Sequence, residues 1–346
     1  MKKRKIWVTF MVTFSILLSS FGFYVYQVLY TPNILIGKSD RFFTIAQGMD
    51  FPGLQKVLLE DNVVQDGVSF GILARMMNYD KRIIAGKYHL KKDMTNLQLI
   101  RLLRSGNQVP VKITFNNIRK VSELGAKITK NTGLSEEAFN VELVKFVQEN
   151  PFGFNENTVI AMFLPNTYEV YYTITAEDLI EKMHTEYKLY WNATRLKKAT
   201  AMGLSPLEVT ILASVVQAES RKKTEQPIIA GLYLNRIHGQ IPLQADPTLV
   251  FAADDFTIKR VLNKHKEIDS PYNTYKNLGL PPGPINMPEI QAIEAVLDYQ
   301  KHDYIYMCAK EDFSGYHNFA STLKAHNINA RKYQKALSAE MRKAKK

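Results

Sequence analysis

Glu219 has the surroundings of a general acid. It closes the run Leu204-Ser205-Pro206-Leu207-Glu208-Val209-Thr210-Ile211-Leu212-Ala213-Ser214-Val215-Val216-Gln217-Ala218-Glu219-Ser220, whose apolar spacing is helical. At about 100° per residue its side chain falls within the arc of Leu207, Ile211, Leu212 and Val215, while Gln217 points to the opposite side. A carboxyl set against apolar side chains is desolvated, which raises its pKa toward the range where it can donate a proton near neutral pH. The alternative is a helix-end glutamate paired with a lysine or arginine, and this helix alone does not separate the two.

The segments downstream favour the acid. Ile241-Pro242-Leu243-Gln244-Ala245-Asp246-Pro247-Thr248 and the stretch from Ser270 to Asn286 are not core sequences. Tyr272, Asn273, Thr274 and Tyr275 put aromatic faces and hydrogen-bonding groups on a loop, which Gly279 to Pro284 stiffen at low entropic cost. That chemistry suits a sugar chain. Rival chemistries lack their residues. His238, His265, His302, His317 and His326 form no HExxH pattern and have no carboxylate at ligand spacing, so no metal and no cofactor is expected. Ser220-Arg221-Lys222-Lys223 matches the S-x-x-K pattern of serine enzymes, but its companions S-D-N and K-T-G are missing, as are a G-x-S-x-G elbow and a P-loop. Cys308 is the only cysteine; it excludes an intrachain disulfide and reads as a packing residue of a strand.

The elements that must position these groups can be read in outline. Ser205 is the N-cap of the acid-bearing helix, Pro206 its first residue, and Glu208 completes a capping box. A chain of 346 residues suits two or three domains. Its net charge of +12 implies attraction to anionic surfaces such as phospholipid headgroups or wall polymers; no nucleic-acid-binding signature accompanies it, and no nucleic-acid partner is expected. Ile6 to Tyr26 is uncharged, predominantly apolar and long enough to cross a bilayer. Lys2, Lys3, Arg4 and Lys5 precede it, which places the N-terminus in the cytoplasm and everything after Tyr30 outside. A cleavable signal peptide is the alternative, but no A-x-A site follows.

After a polar linker at 31–40, a small mixed domain opens at Phe42, with helices expected at Phe51–Glu60, Val68–Met77 and Met94–Arg104, the last ending at Gly106. Val109 to Phe115 alternates like a strand, and Val121–Thr132 and Leu179–Tyr190 read as helices. The fold class is α+β. Segments 1–30, 31–110, 111–196, 197–335 and 336–346 are expected to be anchor, membrane-proximal module, connecting α/β region, catalytic domain and basic tail.

The ordered motifs LASVVQAES, IAGLYLNRIHGQIPLQADPTLVF, SPYNTYKNLGLPPGPI and HNFASTLKAHN resemble the YceG-like family of membrane-anchored endolytic murein transglycosylases. Ile83-Ile84-Ala85-Gly86-Lys87-Tyr88-His89-Leu90 and Ala161 to Tyr168 are similar to two further family segments. The resemblance implies a single-pass protein of the bacterial cytoplasmic membrane, a LysM-like module beside the anchor, and a mixed α/β catalytic domain with Glu219 in a cleft. It implies peptidoglycan strands as substrate and peptidoglycan synthases, the penicillin-binding proteins, as neighbours.

Glycosidases usually need two carboxyl groups. This segment offers one good candidate, and the implied reaction needs only one, because the C6 hydroxyl of the substrate's own muramoyl sugar attacks C1. Glu219 would protonate the leaving oxygen and then accept the hydroxyl proton. Gln244 and Asp246 lie in a loop similar to the family's LQTDPT, with Ala245 in place of threonine, and the resemblance implies that they hydrogen-bond the sugar. A turn-forming aspartate before Pro247 is the alternative for Asp246. Tyr272, Asn273, Thr274 and Tyr275 are the expected glycan contacts, with loop packing as their alternative. Asn235 and Arg236 are expected to brace the cleft. His317 resembles a family position before the last helix and reads equally as a structural histidine. The sequence departs from the family at Gln217, where glutamate is common; the departure removes a charge that helps hold the cleft. A non-catalytic wall-binding or scaffold protein using the same groove is the competing reading.

Overall fold

The computed structural model describes residues 2–34, 40–116 and 118–343. Part of the linker at 31–40 and the end of the basic tail lie outside them. The chain is mixed α+β and mostly helical, with its strands in two-stranded ribbons. It divides into two compact units, one of residues 1–113, 131–134 and 168–174, the other of 114–130, 135–167 and 175–346.

The first unit begins with the helix Lys2–Tyr30, whose 29 residues carry an 18-residue window of mean hydropathy 1.8 with none of it buried. At 1.5 Å per residue the helix is about 43 Å long, more than the hydrocarbon thickness of a bilayer. Beyond it, strand Arg41–Ile45 pairs antiparallel with Gly86–Leu90, Phe43 opposite Tyr88, and the helices Phe51–Glu60 and Gly67–Met76 lie between them in sequence. Alternation explains the ribbon: Phe43, Ile45, Tyr88 and Leu90 are buried while their neighbours are not. Asp50 and Asp66 cap the two helices, and Thr95 with Gln98 forms the capping box of helix Asn96–Ser105, which Gly106 ends at φ +68°. In the second unit, the helix expected over Val121–Thr132 is shorter, a 3₁₀ turn followed by Leu124–Ile128. Asn131 takes φ +74°, a left-handed conformation that does not continue a helix.

The second unit is built around helix Pro206–Glu219. Its start is as the sequence predicts: the Ser205 hydroxyl accepts from the Glu208 N–H, and the Glu208 carboxylate accepts from the Ser205 N–H at 2.7 Å. The wheel reading needs correction. Val209 to Val216 are buried without interruption, because helices Gln226–His238 and Ile290–Leu297 pack against this one and leave it no solvent face. Thr210 and Ser214 tolerate that burial by donating their hydroxyls to the carbonyls of Pro206 and Ile211. The helix reaches a cleft only at its last turn. A strand pair, Tyr306–Ala309 with His317–Ala320, and the long helix Leu323–Lys343 complete the unit.

Candidate active site

Glu219 is the last residue of its helix, and its carboxyl sits deep among protein atoms while part of the residue remains open to the cleft. The Tyr233 hydroxyl, from helix Gln226–His238, donates to Oε1 at 2.7 Å. Burial pushes the Glu219 pKa up to about 7; the bond from Tyr233 opposes the shift, the charge of Asp246 adds to it, and the Arg236 guanidinium works against it. The helix C-terminus, where carbonyl dipoles point outward, further disfavours a carboxylate. Infrared difference titration should therefore find this carboxyl changing state near pH 7. Tyr233→Phe should move the midpoint upward, since it removes a donor to the charged form. A midpoint near the ordinary glutamate value would contradict the burial described.

Two cavities meet at Glu219 and Asp246, which line both. The larger, of about 1210 Å³, runs past Gln217, Val250 and Phe256. The smaller, of about 410 Å³, runs past Tyr233, Gln244, Tyr275 and His317. Together they form a cleft that passes Glu219 on both sides. Asp246 begins helix Asp246–Ala252, is exposed, and accepts from the Tyr275 hydroxyl at 2.6 Å. The two carboxyl groups thus stand at opposite kinds of helix end, Glu219 enclosed and Asp246 exposed.

Arg236 holds the loop that carries Gln244 and Asp246. Its buried guanidinium donates to the carbonyls of Pro242, Leu243 and Ile305, at 3.0, 2.8 and 2.6 Å, and lies 3.4 Å from Gln244 Oε1. Asn235 donates to the carbonyls of His302 and Tyr304. Both residues bind backbone and fix the walls around the cleft. Gln244 is exposed at φ +50°, its N–H donating to the Thr274 carbonyl.

The loop expected to contact sugar splits into two kinds of residue. Asn273 is fully buried; it donates to the carbonyls of Lys266 and Ile268 and accepts from the Tyr275 N–H, so its side chain is spent within the loop. Thr274 is also buried, bonded to Thr248 and the Ala245 N–H. These two shape the loop and do not face the cleft. Tyr275 lines the smaller cavity, and Tyr272 is half-buried against Phe251. Gly283 lets the loop pass close to the Asn157 carbonyl, which a Cβ there would meet at 2.2 Å.

Gln217 lines the larger cavity, as Glu219 does, although its bonds are to a different neighbour. The larger cleft wraps the helix end and includes both residues, while Gln217 Oε1 accepts from the Glu289 N–H at 2.6 Å, pinning the segment after Asn286. His317 lines the smaller cavity with its Nδ1 2.9 Å from Glu225 Oε2. Glu225, buried and unremarked in the sequence, also accepts from the Ser220 hydroxyl at 2.9 Å, so the S-x-x-K serine is tied to a carboxylate behind the acid. Tyr233 is a second group that the sequence does not single out. Its only sequence signal is a hydroxyl in the apolar run Ile228 to Leu234.

A profile of the YceG-like family matches residues 43–332. The chain is 31% identical over 307 residues to a protein of Bacillus subtilis (strain 168) named endolytic murein transglycosylase, covering 84% of this chain and 83% of that one. A protein of the same name from Streptococcus pneumoniae (strain ATCC BAA-255 / R6) is 26% identical over 345 residues, 88% of this chain and 61% of its own. Among solved structures, that of a yceG-like protein from Listeria monocytogenes matches with a TM-score of 0.54 and 25% identity, covering 84% of this chain and 99% of the other.

Proposed function

The chain belongs to the YceG-like family, and on that premise we propose that it is a membrane-anchored endolytic peptidoglycan lytic transglycosylase. Its substrate on this reading is the β-1,4 bond between N-acetylmuramic acid and N-acetylglucosamine in nascent strands. The observation that carries the proposal is a carboxyl with a pKa near 7 where two cavities meet, because such a group is protonated often enough to act as acid and is basic enough to act next as base. Glu219 gives its proton to the glycosidic oxygen as the C1–O bond breaks. The C6 hydroxyl of the same muramoyl residue closes on C1, and its proton passes to the Glu219 carboxylate, restoring the acid. No water is consumed, and the attacking group has the high effective concentration of a tethered nucleophile.

Gln244, Asp246, Tyr275, Tyr272 and His317 are the proposed substrate contacts. Asn273, Thr274, Asn235, Arg236 and Gln217 hold the walls in which those contacts sit. The segments at 1–30, 31–110, 111–196, 197–335 and 336–346 are assigned as anchor, LysM-like module, connecting region, transglycosylase domain and basic tail. Synthases that extend the strands are the proposed neighbours. The cleft extends to both sides of Glu219, which supports cutting within a strand. Long uncrosslinked strands incubated with the protein should therefore shorten in mean length before disaccharides accumulate. Stepwise release of disaccharides from full-length strands would contradict endolytic action.

The reading also sets topology. Helix Lys2–Tyr30 should remain in the mature protein with the bulk of the chain outside the cytoplasm, the cationic Lys2–Lys5 cluster staying inside. Protease added to intact spheroplasts should degrade the main body. Protection of that body, or a mature N-terminus beyond residue 20, would reject the anchor.

A further inference from the structure

The larger cavity carries charge that a neutral sugar chain does not call for. Arg119, Arg221, Lys259 and Arg260 converge on it from three separate stretches of chain, and all four are exposed. Among the described residues none of the four has a carboxylate within ion-pair distance. The other charges lining the cavity account for one another or lie elsewhere: Lys223 pairs with Glu289 at 3.6 Å, Glu219 and Asp246 lie at the junction with the smaller cavity, and Glu123 is the one further acid. Arg119 is held with its guanidinium 4.5 Å over the Phe256 ring, a stacking that leaves the in-plane N–H groups able to bind an anion. The same cavity is lined by the apolar side chains Val250, Phe251, Phe256 and Ile258. Neutral sugar rings present hydroxyls, and four cations beside apolar side chains answer a further group on the same strand, one that alternates carboxylates with small apolar groups.

We infer that this cavity is a subsite for the peptide stem carried by the muramoyl sugar, whose carboxylates bind Arg119, Arg221, Lys259 and Arg260 while its alanine methyl groups lie on the Val250–Phe251–Phe256–Ile258 wall. The inference rests on the peptidoglycan reading above and adds what that reading leaves open: the protein selects strands that still bear their peptides. The stem lies beside the acid because the lactyl group that bears it sits on the muramoyl ring whose C1 is attacked.

Equilibrium binding tests this apart from catalysis. Full-length Glu219→Gln protein in detergent is titrated with uncrosslinked strands bearing intact stems, and with the same strands stripped of peptide by an amidase. Peptide-bearing strands should bind about tenfold tighter, the size expected of a few solvent-screened ion pairs acting together, and the preference should shrink as salt is raised. In the triple variant Arg221→Gln, Lys259→Gln, Arg260→Gln the ratio of the two affinities should fall toward one. A variant with the same loss of charge on the exposed C-terminal helix, Arg331→Gln, Lys332→Gln, Lys335→Gln, should keep it. Equal affinity for both strands, or a ratio that survives the first triple variant, overturns the subsite. Because both strands share the same reducing end, cations that instead bind a lipid pyrophosphate there would weaken both equally and leave the ratio unmoved, which also overturns it. Failure of the wild-type chain to cut either strand would instead reject the catalytic reading, and the binding ratio would still decide the subsite.

Discussion

Glu219→Gln is expected to leave a folded protein whose glycan scission has fallen by about 10²- to 10⁴-fold, the range for losing a positioned general acid. The amide keeps the shape of the carboxyl and can still accept the Tyr233 hydroxyl, but it has no proton to give. The same change should not destabilise the fold. Glu219 has its pKa raised from 4.5 to about 7 in the folded chain. The folded state therefore keeps a proton that the unfolded state releases, and the associated stability is fully present below the unfolded value and is lost as pH rises through the folded one. Above that point the wild type carries a desolvated carboxylate that the amide variant lacks. Thermal melts at pH 8 should accordingly place the variant at or above the wild type. Near-normal scission by this variant would move the acid elsewhere in the chain. A lowered melting temperature with lost scission would make the result a folding defect and remove Glu219 from the mechanism's support.

Local signals carried the sequence furthest. Ser205, Pro206 and Glu208 set the start of the acid-bearing helix through contacts within one turn, and Phe51–Glu60 and Asn96–Ser105 begin and end close to where their caps and periodicity put them. Burial in tertiary context was less legible. A helical wheel assumes one apolar face, whereas helix Pro206–Glu219 is enclosed along its middle and meets the cleft at its end, so the wheel could not show that Gln217 and Glu219 line one cavity. Composition showed that Tyr272 to Tyr275 form a polar loop but not that Asn273 and Thr274 turn inward while Tyr275 turns to the cleft; that depends on carbonyls supplied by Lys266 and Ile268. Tyr233 and Glu225 act across helices, and no spacing rule links them to Glu219 or His317. The cations at Arg119 and Arg260 are separated by most of the unit in sequence and meet only in the folded chain.

The central claim is that one enclosed glutamate suffices because the substrate supplies its own nucleophile. Mass analysis of the new ends tests it most directly. Digestion of uncrosslinked peptidoglycan by the full-length protein should yield strands ending in 1,6-anhydro-N-acetylmuramic acid, each lighter by one water than its hydrolytic counterpart and resistant to borohydride reduction. Reducing ends in their place would mean that water attacks C1 and that a second carboxyl, with Asp246 standing at the same junction, serves as base or nucleophile. That result would contradict the transglycosylase account and make the protein a hydrolase.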